Sequence, residues 1–151
     1  RVAGRLANAF RGGRHLYACG NGGSACDAMH LVEELVARYK RTRPGIPAHH
    51  LLDGPTLTCW SNDFDFETAF QRQVHTLMSP GDVLVAISTS GNSPNVLAAA
   101  KAAREKGVRR VVYAASSSAY GDAETVGAKV ETMPANYEFK ARRNGSRGRI
   151  A

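Results

Sequence analysis

The sequence predicts an α/β fold in three layers, a parallel β-sheet with helices on both of its faces. Short apolar segments alternate along the chain with longer segments of helical periodicity. The clearest strand, residues 83–87, is a continuous apolar run, which is typical of a strand buried on both faces of a parallel sheet. Ligands of such sheets bind beyond the carboxyl ends of the strands, so the loops that follow strands are the candidate sites.

The first half of the chain is predicted to contain two helices and two strands. In order, these are a helix over 2–10, a strand over 15–20, a helix from 24 to about 39, a strand over 48–52 and a short connecting element over 57–60. Gly12 and Gly13 end the first helix, and Ser24 is suited to cap the second. Pro44 and Pro47 mark the loop before the second strand.

The second half repeats this alternation. A helix is predicted over 67–78, a strand over 83–87, a helix over 94–106 and a strand over 110–115. The turn formed by residues 79–82 leads into the strand at 83, and Gly107 ends the last helix. Two polar loops, 20–24 and 88–93, each follow a strand and precede a helix, so both are expected at the same edge of the sheet.

The loop 88–93 is the most informative stretch. It carries hydroxyl groups at Ser88, Thr89, Ser90 and Ser93, where a buried strand ends and a helix begins. A helix N-terminus offers unpaired N–H groups and a partial positive charge, so this loop is suited to an anion such as phosphate. It lacks the lysine of a Walker-type nucleotide loop. The alternative is an ordinary hydroxyl-rich turn with Ser93 as the helix cap.

The helix that follows residues 20–24 carries His30 and Glu34, which share a face because they are four residues apart. Glu34 is a candidate general base, and the two side chains together are a candidate half of a metal site. The alternative is a solvated helix face with a satisfied core histidine. Asn62 and Asp63 are expected in a polar turn after a short apolar run, where such residues commonly bond their own backbone.

Composition narrows the class of protein. The formal net charge is +7. Five of the basic residues lie in positions 137–151 beside the single acidic residue Glu138, so we expect a basic tail rather than a nucleic-acid surface. No apolar run approaches the roughly 20 residues that span a bilayer, and no signal peptide is visible, so we expect no membrane segment.

Four stretches together resemble the phosphoheptose isomerases of the SIS-domain superfamily. They are CGNGGSACDAMHLVEEL (19–35), RYKRTRPGIPA (38–48), SNDFDFE (61–67) and GDVLVAISTSGNSPNVLAAAKAAREKG (81–107). An SxSGxS loop alone indicates only a SIS domain, whereas GNGGS followed by DAxHxxEEL is far more specific. The resemblance implies a flavodoxin-like, five-stranded parallel sheet, a SIS domain over 1–115, a cytoplasmic location and a homotetramer whose sites lie between subunits.

The resemblance also implies an activity. It is the conversion of sedoheptulose 7-phosphate to a manno-heptose 7-phosphate through an enediol, a step towards ADP-heptose for lipopolysaccharide. Glu34 matches the catalytic glutamate, and His30 and Glu34 match two ligands of the zinc present in some members. The residues that match substrate-binding positions are Asn21, Gly22, Gly23, Ser24, Asn62, Asp63, Ser88, Thr89, Ser90 and Ser93.

The C-terminal part departs from this pattern. Nothing after residue 110 matches the family's last helix, which carries a glutamine, a catalytic histidine and the remaining metal ligands, and the last histidine here is His75. We therefore expect a sheet that is incomplete at its C-terminal side. Two other functions stay open, a non-catalytic SIS module that binds a sugar phosphate or a protein, and an inactive remnant.

Residues 111–134 resemble a different family, the NAD-dependent nucleotide-sugar epimerases, with Ser116 at the catalytic-serine position. Tyr137 and Lys140 stand one residue too close for that family's Tyr-x-x-x-Lys motif, and its glycine-rich dinucleotide turn is absent, so we predict no NAD. We expect residues 116–151 to be an atypical, partly disordered tail, as in a chimeric, frame-disrupted or decayed gene product.

Overall fold

The computed structural model describes residues 2–108, 110–114 and 130–132. These residues form five helices and five strands. In chain order they are α1 (Val2–Arg11), β1 (Leu16–Gly20), α2 (Gly23–Val36), β2 (Ala48–His50), α3 (Gly54–Asp63), α4 (Ala69–Leu77), β3 (Val83–Ile87), α5 (Pro94–Glu105), β4 (Arg110–Ala114) and β5 (Val130–Thr132). The residues singled out in the tail, Ser116, Tyr137 and Lys140, lie outside the described ranges.

The sheet has the strand order β2-β1-β3-β4-β5. The strands β2, β1, β3 and β4 run parallel, which confirms the predicted α/β class, and the order matches the flavodoxin-like arrangement. The fifth strand does not follow the expected parallel pattern, because β5 pairs with β4 in the antiparallel direction. An antiparallel neighbour requires no crossover helix, whereas a parallel neighbour would require one.

Helices cover both faces of the sheet because side chains alternate along each strand. Leu16 and Ala18 of β1 pack on one face with α1 and α2. Tyr17 and Cys19 of β1 point to the other face and pack with α4 and α5. Phe70 of α4 is 1% exposed, and burying a side chain of that size stabilises the fold by roughly 1.5–3 kcal/mol.

Several predicted boundaries were wrong. The short connecting element at 57–60 is the middle of helix α3. Helix α3 begins at Gly54 because the carboxylate of the preceding Asp53 caps it. This carboxylate accepts hydrogen bonds from the Thr56 amide at 2.9 Å and the Thr56 hydroxyl at 2.5 Å, and Pro55 lies in the first turn of the helix. Helix α2 ends at Val36 rather than near residue 39.

Helix α4 starts at residue 69 instead of 67. The carboxylate of Asp65 accepts hydrogen bonds from the amide and the hydroxyl of Thr68, so a turn occupies the residues before the helix. None of the helices within the described ranges is long and apolar enough to cross a bilayer.

Candidate functional site

Two loops meet at the edge of the sheet where the strand order reverses. We call residues 20–24 the glycine loop, residues 88–93 the hydroxyl loop, and the gap between them the crevice. Strands β1 and β3 are hydrogen-bonded neighbours, and the chain leaves them towards α2 on one face and α5 on the other. The expected convergence of the two loops is therefore confirmed, and the crevice is the usual ligand position of such a sheet.

The glycine loop turns tightly between β1 and α2. A Cβ atom on Gly20 would lie 2.6 Å from the carbonyl oxygen of Ser24, so only glycine fits there. Gly22 has φ 54°, in the left-handed region that favours glycine, and it occupies the N-cap position of α2. The predicted cap by Ser24 was wrong, because the helix already starts at Gly23 and Ser24 is buried inside its first turn.

The side chains of Asn21 and Asn95 join the two loops. The Nδ2 of each donates to the Oδ1 of the other at 2.8 Å. Asn95 is 2% exposed, and its Oδ1 also accepts the amide of Val96 at 3.0 Å. The sequence prediction placed Asn21 in the site but missed Asn95. A polar residue on the buried face of α5, one turn before Ala99, was the available signal.

The hydroxyl loop closes on itself. The Oγ atoms of Ser88 and Ser93 lie 3.1 Å apart, and the Gly91 amide donates to Ser88 Oγ at 3.2 Å. Ser93 occupies the N-cap position of α5, as predicted, but its hydroxyl makes no capping hydrogen bond. Thr89 and Ser90 are exposed. The loop thus presents hydroxyl groups at the N-terminus of a 12-residue helix, where the helix dipole favours an anion.

A second group of polar side chains lies near the C-terminal end of α2. His30 Nε2 is 3.6 Å from Glu34 Oε1, and His30 Nδ1 is 3.8 Å from Glu33 Oε2. Each of the three residues offers one ligand atom, and these atoms lie within 4.8 Å of one another. Imidazole and carboxylate donors suit zinc, so the residues form a candidate metal-binding group. The sequence prediction had named His30 and Glu34 but not Glu33.

Glu34 is the least exposed member of this group. Its side chain is 25% exposed, against 73% for His30 and 61% for Glu33. Its Oε2 atom is buried and has no hydrogen-bond partner among the described residues. A buried acceptor without a hydrogen-bond partner costs free energy, which makes this atom a candidate for contact with a ligand.

Arg43 holds the helix end that carries Glu34. Its guanidinium donates to the backbone oxygens of Glu34 at 2.6 Å, Leu35 at 2.8 Å and Pro44 at 2.9 Å. Two of these oxygens belong to the last turn of α2, which lacks helical partners for its carbonyl groups. Arg43 and Glu34 line an open cavity of about 740 Å³ together with Leu31, Leu35, Tyr39, Lys40, Arg41, Thr42 and Ile46.

The candidate catalytic residue and the crevice lie at opposite ends of α2. Glu34 is ten positions after Ser24, so the two residues are roughly 15 Å apart along the helix axis at 1.5 Å per residue. None of the residues of the hydroxyl loop lines the cavity beside Glu34. Within one chain, the structure does not bring the candidate base next to the hydroxyl loop.

Asn62 and Asp63 lie in the last turn of α3, which corrects their predicted placement in a turn between elements. Both are exposed, and Asn62 Nδ2 donates to Asp63 Oδ1 at 2.8 Å. The Sγ of Cys59 is 3.8 Å from Asp63 Oδ2. Asn62 Nδ2 and both carboxylate oxygens of Asp63 therefore make contacts within α3.

Comparisons with known proteins agree on one family. The sequence model described as SIS domain matches residues 1–117. Phosphoheptose isomerase of Sodalis glossinidius (strain morsitans) is 52% identical over 107 residues, covering 71% of this chain and 55% of the relative. Phosphoheptose isomerase of Escherichia coli O7:K1 (strain IAI39 / ExPEC) is 52% identical over 109 residues, covering 72% of this chain and 57% of the relative. The chain thus spans somewhat more than half the length of these relatives.

Solved structures give the same result. The phosphoheptose isomerase of Neisseria gonorrhoeae superposes with a TM-score of 0.66 at 39% identity, covering 76% of this chain and 58% of that one. The phosphoheptose isomerase of Francisella tularensis gives a TM-score of 0.69 at 31% identity, with coverages of 77% and 63%. The likeness therefore extends through both the sequence and the arrangement of the sheet and helices.

Proposed function

Because this chain belongs to the SIS domain family, we propose that it binds a phosphorylated sugar and isomerises sedoheptulose 7-phosphate to a manno-heptose 7-phosphate. The observation that carries the proposal is the pairing of two features on α2. The helix begins at the crevice beside the hydroxyl loop, and it ends at a buried carboxylate oxygen, Glu34 Oε2, that has no partner among the described residues. The names of the relatives support the same substrate class.

The phosphate group is proposed to bind in the crevice. Ser88, Thr89, Ser90 and Ser93 supply hydroxyl donors, and the N-terminus of α5 supplies a favourable dipole. Gly91 has φ 71° and no side chain, so the backbone can approach the phosphate oxygens closely. Because the phosphate is remote from the reacting carbons, its binding holds the substrate in one register without taking part in the chemistry.

The proton transfer is assigned to Glu34. A ketose becomes an aldose when a base removes a proton from C1, an enediol forms, and a proton is returned to C2 while the hydroxyl proton moves from O1 to O2. The Oε2 atom is available for this step because no hydrogen bond from the described residues occupies it. Arg43 would keep the carboxylate in place through the backbone of the same turn.

The separation along α2 leads us to propose that a second copy of the chain completes the site. One chain carries its glycine loop, which lies beside the hydroxyl loop, and its Glu34 at opposite ends of α2, roughly 15 Å apart along the helix axis. If the hydroxyl loop of one copy faces Glu34 of another, the phosphate of the substrate would bind at the loop and the reacting carbons would lie beside Glu34. A homotetramer, which the family resemblance implies, would contain such pairs.

We propose zinc as the metal for His30 and Glu34. The 3.6 Å between His30 Nε2 and Glu34 Oε1 is compatible with two ligands on one ion, and Glu33 lies beside the other ring nitrogen, where a carboxylate orients a metal-bound imidazole. When bound, zinc would polarise the substrate oxygens next to the reacting carbons. His30 and Glu34 supply two ligand atoms at this spacing, and Glu33 belongs to the same group.

The test is proton NMR of sedoheptulose 7-phosphate in D₂O with the purified chain, with Glu34→Gln, and with Glu105→Gln as the matched control. Glu105 lies at the end of α5 and pairs with Lys101 at the surface. We expect exchange of a C–H proton and product formation with the wild type and the control, and loss of both with Glu34→Gln.

Exchange that persists in Glu34→Gln would contradict the assignment of the base. Line broadening of the sugar phosphate without exchange would instead support a non-catalytic SIS module. Mixing the Glu34→Gln and Ser88→Ala variants tests the shared site. If the site lies between copies, a mixed oligomer contains a site with both an intact Ser88 and an intact Glu34, and C–H exchange returns. If the site lies within one chain, every site lacks one of the two residues and exchange stays absent.

A further inference from the structure

We propose that Asn95 is a positioning residue that sets the width of the crevice, acting through Asn21. The inference rests on the proposed function, in which the crevice receives the sugar phosphate. Neither residue needs to touch the reacting carbons for this role. The two side-chain amides, called here the amide pair, exchange two hydrogen bonds of 2.8 Å each across the crevice.

Burial makes the pair selective for one geometry. Asn95 is 2% exposed and Asn21 is half-buried, so the Asn95 amide is cut off from water if it loses its partner. Leaving such a group unsatisfied costs more than a single hydrogen bond contributes when it is formed. Both bonds break together if the loops move apart, because each amide is planar and uses both its oxygen and its nitrogen in the same pair.

The amide pair connects the first turns of two helices that lie on opposite faces of the sheet. Asn21 directly follows β1, and its backbone oxygen accepts the amide of Ser24 at 3.0 Å in the first turn of α2. Asn95 is the second residue of α5, and its Oδ1 accepts the amide of Val96 at 3.0 Å. The pair therefore couples the glycine loop to the helix N-terminus beside the hydroxyl loop.

This arrangement also changes the role of Asn21. One lone pair of its Oδ1 and one N–H of its Nδ2 are engaged with Asn95, which leaves one side-chain N–H and one acceptor position for a ligand. The main contribution of Asn21 is then the spacing of the crevice, and the glycine loop would contact the sugar chiefly through its backbone.

The test compares the wild type with Asn95→Leu and Asn95→Asp, and with Asn8→Leu and Asn8→Asp as controls on the exposed surface of α1. Circular dichroism and thermal melting first establish that each variant is folded. Hydrogen exchange of the backbone amides of the two loops is then measured without ligand, followed by NMR titration with inorganic phosphate. We expect the backbone amide protons of both loops to exchange faster in Asn95→Leu than in the wild type. We also expect this variant to bind phosphate about tenfold more weakly.

Asn95→Asp adds a second measurement, the pH dependence of phosphate affinity, which would not change if Asn95 had only a structural role. A protonated aspartic acid can donate to Asn21 Oδ1 and accept from Asn21 Nδ2, so it restores both bonds, whereas the carboxylate cannot donate. Residues 20–24 and 88–97 contain no other titratable side chain. We expect the phosphate affinity of Asn95→Asp, relative to the wild type at the same pH, to recover as the pH falls through the aspartate range, and that of Asn95→Leu not to recover.

The proposal is overturned if folded Asn95→Leu keeps both the exchange rates and the phosphate affinity of the wild type, or if the relative affinity of Asn95→Asp is independent of pH. The proposed function fails separately if the wild-type chain binds neither inorganic phosphate nor sedoheptulose 7-phosphate. In that case the positioning role falls with it, even where the exchange data show that the amide pair joins the loops.

Discussion

The hydroxyl oxygens of Ser88 and Ser93 lie 3.1 Å apart, one at the end of β3 and the other at the N-cap of α5. Their contact closes the hydroxyl loop before any ligand binds. We therefore expect Ser93→Ala to weaken the binding of inorganic phosphate by about tenfold or more, because a hydrogen bond to a charged group contributes roughly 1.5–3 kcal/mol. NMR titration measures the affinity. Ser79→Ala, in the turn at the opposite edge of the sheet, is the control, and an equal loss in both variants would contradict the assignment.

Arg43 should contribute more to stability and to the Glu34-dependent exchange of the substrate C–H proton than other surface arginines do. Replacing it with lysine leaves a compact donor that cannot reach three backbone oxygens at once, so we expect Arg43→Lys to destabilise the chain by about 1–2 kcal/mol and to reduce the exchange that depends on Glu34. Urea denaturation gives the free energy of unfolding. Arg104→Lys, exposed on α5, should change neither quantity, and wild-type behaviour of Arg43→Lys would refute the role.

The cap of α3 predicts a pH dependence. Hydrogen bonds from the hydroxyl and then the amide of Thr56 lower the pKa of Asp53 from its ordinary value of 3.8. A lowered pKa in the folded state means that the charged form stabilises the fold above the ordinary value, and that this contribution is lost as the pH falls through the lower value. We expect Asp53→Ala to melt at a lower temperature than the wild type at pH 7, with a gap that narrows in acid.

Asp53→Asn is the matched variant for this cap, because asparagine also accepts a hydrogen bond at an N-cap. It should melt close to the wild type at pH 7 and lose the acid dependence that the Asp53 charge causes. A gap between wild type and Asp53→Ala that stays constant down to the acid limit of folding would show that the charge has no part in capping.

The three cysteines should differ in reactivity. Burial raises the pKa of Cys19 to about 12, so its thiol stays protonated at neutral pH and is shielded by the core. Cys26 and Cys59 are exposed. Iodoacetamide at pH 8, followed by mass spectrometry of peptides, should label Cys26 and Cys59 in the native chain and Cys19 only after unfolding. Rapid labelling of Cys19 in the native chain would contradict its position in the sheet.

The sheet and the hydroxyl loop could be predicted from the sequence because their signals are local. Residues 83–86 of the apolar run 83–87 are buried as expected, and the hydroxyl groups that follow the run lie where a strand gives way to a helix. Helix α3 was missed because Thr56, Thr58 and Trp60 have low helix propensity and none of its residues is buried. The Asp53 cap and the first-turn proline Pro55 offset the low helix propensity of these residues.

The contacts between distant residues could not be predicted in the same way. Asn21 and Asn95 are 74 positions apart, and Lys106 Nζ contacts the backbone oxygen of His75 from 31 positions away. Their pairing depends on the strand order, which brings β1 beside β3. The direction of β5 likewise depends on how the chain returns to β4, and no local pattern in residues 130–132 specifies it.

The two loops that border the crevice carry only uncharged side chains. The residues of the glycine loop and the hydroxyl loop are glycine, asparagine, serine and threonine, and none of them titrates in the physiological range. An anion bound there, as proposed, would be held by hydroxyl groups, backbone amides and the N-termini of α2 and α5. Its affinity would therefore follow the ionisation of the anion itself, so the same pocket would retain a doubly charged phosphate monoester at neutral pH and release it as that ester gains a proton.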